Sequence, residues 1–106
     1  MRHLTPLALL ALLASPVQAG TPLPWGQAVE KSRTAAEAVI KRSGSESCLR
    51  GKITNAMVGL SDSCDAAGRR DALCSLADQV VMDANLSMVS MDEAATKLLK
   101  LTAVNP

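Results

Sequence analysis

Four stretches of the chain repeat apolar residues at the three- and four-residue spacing of a helical face. The densest covers residues 71–86. There Leu73, Leu76, Ala77, Val80, Val81 and Ala84 share one face and Cys74 sits on its edge. Upstream, Trp25, Ala28, Val29, Ser32, Ala36, Val39 and Ile40 form a stripe, with Glu30, Lys31, Arg33, Glu37 and Lys41 off it. Pro24 suits the first turn of that helix, because its missing N–H has no partner to lose there. The spacing predicts a helix over about 25–42, stopped by Ser43-Gly44, with Gly44 suited to a left-handed cap.

A second set, Leu49, Ile53, Ala56, Met57 and Leu60, predicts a helix over about 47–60. Gly51 and Gly59 each weaken it by about 1 kcal/mol relative to alanine. Ser61-Asp62-Ser63 is turn and cap chemistry, with Asp62 as N-cap and Asp65 at the positive end of a third helix running to about Asn85. Gly68 then marks a bend, or a later start near Arg69. Ser90 and Glu93 form an S-x-x-E capping box for a fourth helix. Its face holds Met91, Ala94, Ala95, Leu98, Leu101 and Thr102, and it ends near Ala103. Four amphipathic helices with short connections predict an all-α fold, a small antiparallel bundle. Each helix is marginal alone, so burial of the four stripes together supplies most of the stability.

The first nineteen residues follow a different pattern. Arg2 and His3 precede a mostly apolar run over 4–14, too short to span a bilayer as a finished helix. Ser15-Pro16 breaks the run, and Val17-Gln18-Ala19 places small residues where signal peptidase reads them. The expectation is a signal peptide over 1–19 and a single helical domain over 20–106, secreted or periplasmic, with no stable membrane span after cleavage. A domain of that size buries only about 60 to 65% of its unfolded surface, so a covalent staple would matter.

Composition narrows the chemistry. Without Arg2, ten Lys plus Arg face ten Asp plus Glu, and no basic block exists for nucleic acid or anionic lipid. Trp25 is the only aromatic residue, which leaves almost nothing to stack on bases or sugars. The only histidine, His3, leaves with the signal peptide. The mature chain then has no Ser-His or Cys-His nucleophile and no His-ligated metal. Asp92 and Glu93 read as first-turn acids of the fourth helix, Asp62 and Asp65 as caps, and Asp71 and Asp78 as an outward face beside solvent. No phosphate loop or EF-hand spacing is present.

Three cysteines remain: Cys48, Cys64 and Cys74. Export predicts one bridge and one leftover thiol. The midpoint of Cys48 and Cys74 is Ser61, where the pattern places a turn, so an antiparallel hairpin would set them level. Cys48–Cys74 therefore ranks first, with Cys64 as the free thiol at a helix N-terminus. Cys64–Cys74 ranks second and requires the third helix to start near Gly68. Cys48–Cys64 ranks last. No C-x-x-C motif supports a thioredoxin-like role.

Met82, Met88 and Met91 cluster at the junction of the third and fourth helices, and thioethers are soft ligands for Cu(I). Methionines there also serve as core filler. Met82 lies about opposite Leu73 on the helical wheel and should be exposed or touch a partner. The resulting expectation is a non-enzymatic binding or interaction module without cofactor or metal, acting on an unknown protein partner. The alternative is a periplasmic thiol-redox or copper-handling protein using Cys64 and the methionines.

Overall fold

The computed structural model describes residues 21–104, and the expected signal peptide lies outside them. These residues form four α-helices and no strand: α1 (Trp25–Lys41), α2 (Glu46–Ala67), α3 (Ala72–Met82) and α4 (Met88–Val104). No helix among them is long and apolar enough to cross a membrane.

Helix α1 starts behind Pro24, whose carbonyl accepts the Ala28 N–H. It ends one residue earlier than the pattern predicts, and its left-handed cap is Arg42 (φ 56°), not Gly44. The Ser43 N–H donates to the Ala38 carbonyl and the Arg42 N–H to Val39, the paired bonds that close a helix through a left-handed residue. Glycine avoids the Cβ penalty of that conformation, so an arginine there needs a compensating contact, which α4 supplies.

Helix α2 departs most from expectation. It begins on Ser45, whose hydroxyl accepts the Cys48 N–H, and runs through Ser61-Asp62-Ser63 to Ala67. These residues are helix interior because tertiary contacts use them. Ser63 is buried with its hydroxyl donating to the Leu23 carbonyl, and the Ser61 hydroxyl donates to Asp78 of α3. Cys64 simply continues the stripe of Ile53, Met57 and Leu60. The helix stops at Gly68 (φ 67°), whose neighbour Arg69 donates its N–H to the Cys64 carbonyl. Asp62 and Asp65 therefore lie within α2 and cap nothing.

Helix α3 is correspondingly late and short. Asp71 is its N-cap, accepting the Cys74 N–H at 3.1 Å, and it is exposed to solvent as the pattern predicts. The helix ends at Met82 rather than near Asn85. The Asp83 carboxylate accepts the Asn85 N–H, a local turn that competes with further helix. Helix α4 starts one turn earlier than the Ser90–Glu93 box implies. Ser87 is the capping residue: its hydroxyl accepts the Ser90 N–H and its carbonyl the Met91 N–H.

Neighbours in sequence pack as neighbours in space, and α1 closes the bundle against α4. Helices α1 and α3 do not touch, whereas α2 and α4 meet across the diagonal. The core holds Val39 of α1, Leu49, Ile53, Met57 and Leu60 of α2, Leu76, Ala77 and Val80 of α3, and Met91 and Leu98 of α4. Ala28, Ala35 and Ala36 make the buried side of α1 thin and let it approach its neighbours closely. Every buried side-chain polar atom among the described residues is bonded. The Ser32 hydroxyl donates to the Ala28 carbonyl, and Thr102 donates to Leu98 while accepting from Arg33.

The disulfide joins Cys64 to Cys74, with Cα atoms 5.9 Å apart. This corrects the pairing ranked first on midpoint geometry. The α2–α3 turn is centred near Arg69-Arg70, not at Ser61, so Cys64 and Cys74 are level, as are Ser61 and Asp78. Cys48 lies far down α2, exposed, and is the free thiol in place of Cys64.

Candidate binding groove between the third and fourth helices

The contact between α3 and α4 is the least extensive of the four that close the bundle. Two features of the chain cause this. Helix α3 has only 11 residues against 17 in α4. The link from Asp83 to Ser87 also spends its apolar anchor, Leu86, on the core, where it is 4% exposed. Arg50 of α2 holds that link in place, its Nε donating to the Leu86 carbonyl at 2.8 Å. The same guanidinium pairs with Glu46 one turn back on α2.

The space left over is a groove along the α3–α4 seam. Near the junction it is a cleft of about 160 Å³ with Leu76, Val80, Leu86 and Ala94 beneath and Gln79, Asp83, Ser90, Glu93 and Lys97 around it. Farther along the seam a second cleft of about 380 Å³ shares Leu76, Gln79 and Lys97 and adds Ala72, Ser75 and Leu101. Among the described residues the ion pairs are Arg42–Asp92, Arg50–Glu46 and Arg69–Asp71. The carboxylates of Asp83 and Glu93 thus face the groove without a cationic partner. Met82 precedes Asp83 and is 81% exposed; Val89 precedes Ser90 and is 69% exposed. The seam thus has an apolar floor and a polar rim.

A larger hollow of about 620 Å³ lies between α1 and α2, lined by Leu23, Gln27, Lys31, Lys52 and Asn55 among others. Its floor is mainly Ala35 and Ala56, and its rim carries long side chains of both signs.

The residues singled out in the sequence fall in three places. Cys64 and Cys74 are buried together in the bridge, at the end of the bundle where Arg69 stacks over Trp25 at 3.8 Å. Cys48 stands in the first turn of α2, toward the opposite end. The three methionines do not present one open ligand set. Met91 is fully buried, Met88 is half-buried and Met82 reaches into solvent. No group of three His, Cys, Asp or Glu residues among those described could hold a metal ion.

The acids resolve into structural roles. Asp92 does not cap α4; it binds Arg42 through both carboxylate oxygens. That hydrogen-bonded guanidinium holds the Asp92 carboxyl below the usual carboxylate range, against a smaller opposing effect of desolvation. At Asp71 partial desolvation opposes ionisation. The N–H of Cys74 and the guanidinium of Arg69 together outweigh it, so its carboxyl is also lowered. Neither acid is poised to give up or take a proton near neutrality.

Helical spacing does not mark Asp83 and Glu93 as groove residues. Asp83 falls inside the helix predicted to run to about Asn85, and Glu93 inside the predicted capping box, whereas Ser87 forms the cap. The Asp-Ala-Asn triplet was the signal that could have found the first. No family model matches the chain, and comparisons with curated proteins and with solved structures return no match.

Proposed function

We propose that the protein is an exported, non-catalytic binding module that holds a protein partner on the α3–α4 face. The observation that carries this reading is the groove itself, with Leu76, Val80, Leu86 and Ala94 under a polar rim on the least extensive seam of the bundle. Met82 and Val89, on the two helices that form the seam, are also exposed.

Export rests on residues 1–19 and is consistent with the Cys64–Cys74 bridge, which persists in an oxidising compartment. A secreted or periplasmic location follows from that reading. The non-catalytic part rests on chemistry: the 20–106 chain has no histidine, and its two perturbed carboxyls serve as a helix cap and an ion pair.

A photo-crosslinking side chain placed at Met82, in cells that naturally make the protein, tests the proposal. The expected result is a discrete protein adduct from Met82 and from Val89, and none from Lys31 on the α1–α2 side. Absence of an adduct at both positions overturns it. Intact mass of the exported protein beginning at Gly20 is the expected result for the signal peptide.

A further inference from the structure

We propose that α3 is a redox-gated strap. Reduction of the Cys64–Cys74 bridge releases it as a unit, while α1, α2 and α4 stay packed on one another. The device needs no partner and stands whether or not the groove binds one.

Three features of the fold single out α3. The first is which helices touch. Helix α1 packs on α2 and α4, α2 meets α4 across the diagonal, and α3 does not reach α1. Without α3, three helices remain in mutual contact. The second is how α3 is tied. Among the described residues, its one side-chain hydrogen bond to another helix runs from Ser61 to Asp78, and its one covalent tie is the bridge. Both reach α2 alone, and both lie in the first two turns of α3. Helix α1, by contrast, is tied to α4 at two levels, through Arg33–Thr102 and Arg42–Asp92. The third is the seam toward α4, where clefts of about 160 and 380 Å³ leave α3 incompletely packed. With 11 residues, α3 is also too short to hold helical form in water by itself, so it depends on these ties. Sparse ties and thin packing are what let one segment open below the free energy of global unfolding.

The ends of the strap are defined. Gly68, with φ 67°, breaks the chain between α2 and α3. At the other end Leu86 is buried and Arg50 holds its carbonyl, so the link stays anchored on α2 when α3 leaves. The chemistry follows from burial. Cys64 and Cys74 are 2% and 4% exposed, so an attacking thiolate reaches neither sulfur while α3 is closed. Cys48 does not serve as the attacker, because it lies about 24 Å away along the same helix. The reductant is an external dithiol. Its thiolate attacks one sulfur when α3 swings out from its Met82 end, and its second thiol resolves the mixed disulfide. The bond between Cys64 and Cys74 breaks, a disulfide forms in the reagent, and two electrons and two protons pass to the two cysteine sulfurs.

The rate at which dithiothreitol reduces the bridge in the folded, oxidised protein reads the opening of α3. Leu76→Ala, at a buried position of α3, is expected to speed reduction at least about tenfold. Val39→Ala, at a fully buried position of α1, is expected to lower the urea midpoint yet leave the reduction rate within about twofold. Reduction sped by Val39→Ala in proportion to its loss of stability means that only global unfolding exposes the sulfurs, and it overturns the proposal. Amide hydrogen exchange of Cys48→Ser protein held in excess dithiothreitol is the second measurement. Protection over residues 76–82 is expected to fall about a hundredfold, the equilibrium factor of a bridge that closes so short a loop. The amides of Ala36, Ala56 and Leu98 are expected to keep theirs within about tenfold. Equal loss in all four helices, unfolding of the whole chain, or unchanged protection in α3 overturns the strap.

Discussion

Arg42 of α1 and Asp92 of α4 meet in a two-pronged ion pair, Nη1 to Oδ1 and Nη2 to Oδ2, each at 2.6 Å. The same Nη1 donates to the Val39 carbonyl at 2.8 Å, so one guanidinium caps its own helix and ties it to the start of another. This contact accounts for an arginine in a left-handed position that glycine would occupy more easily.

Arg42→Ala should therefore destabilise the protein more than Arg42→Gly, because alanine keeps the Cβ penalty and loses the pair. Urea midpoints of the two variants check the order. The pH dependence has a definite sign. Asp92 titrates lower in the folded than in the unfolded chain, so the pair stabilises above the unfolded value, about 3.9, and its contribution fades as acidification passes through the lowered folded value. The stability difference between wild type and Asp92→Asn should be present at pH 7 and shrink toward pH 2.

The Cys64–Cys74 bridge closes a short loop, with a sequence separation of 10. On chain entropy it stabilises the fold by about 3 kcal/mol. Replacing both cysteines by alanine should lower unfolding free energy by about that amount, while Cys48→Ser should leave it within about 0.5 kcal/mol. Alkylation without reduction, followed by peptide mapping, should label Cys48 alone in the monomer.

Ser87, and not Ser90, accepts the N–H that starts α4. Ser87→Ala should cost about 1 kcal/mol, the usual loss at an N-cap. Glu93→Gln should cost almost nothing, since no capping box depends on it. Chemical denaturation of the two variants separates the assignments.

Ile53 is fully buried at the centre of α2, and Met82 is 81% exposed. Ile53→Ala should destabilise by about 2–5 kcal/mol. Met82→Ser should fall within about 0.5 kcal/mol of wild type. A large loss at Met82 would show that it packs within the fold and is not kept free for a partner.

Trp25 is the only tryptophan, and the Arg69 guanidinium lies 3.8 Å from its ring centroid. Arg69→Gln should shift Trp25 emission and cost about 0.5–1 kcal/mol, the scale of an exposed cation–π contact. Emission that does not respond would place the two side chains apart in solution.

The candidate site was half legible in the sequence. The opposition of Met82 to Leu73 on the helical wheel marked Met82 as outward, and its 81% exposure agrees. The α3–α4 groove is hidden from the pattern because it is a gap between helices. Its shape depends on α3 ending at Met82 and on Leu86 turning back into the core, held by Arg50 from a helix far away in sequence.

By itself the sequence determined the class of fold: the four apolar stripes, their antiparallel order imposed by short links, and most of the core. Ile40 and Val81, on those stripes by spacing, are nonetheless 45% and 38% exposed, and Leu86, on none of them, is buried. Periodicity decides which face turns inward, and the packing of neighbouring helices decides how far along its edge burial extends. The tertiary structure decided where helices stop and which cysteines pair. Ser61, Asp62 and Ser63 carry strong turn preferences, but each such preference is about 1 kcal/mol. It yields when Leu60, Ser63 and Cys64 can be buried together and bonded to Leu23 and Cys74. Arg33, Arg42, Arg50 and Arg69 are ties to Thr102, Asp92, Leu86 and Trp25, none of which helical spacing indicates. A long cationic side chain finds its partner only after the backbone has brought distant helices within its reach.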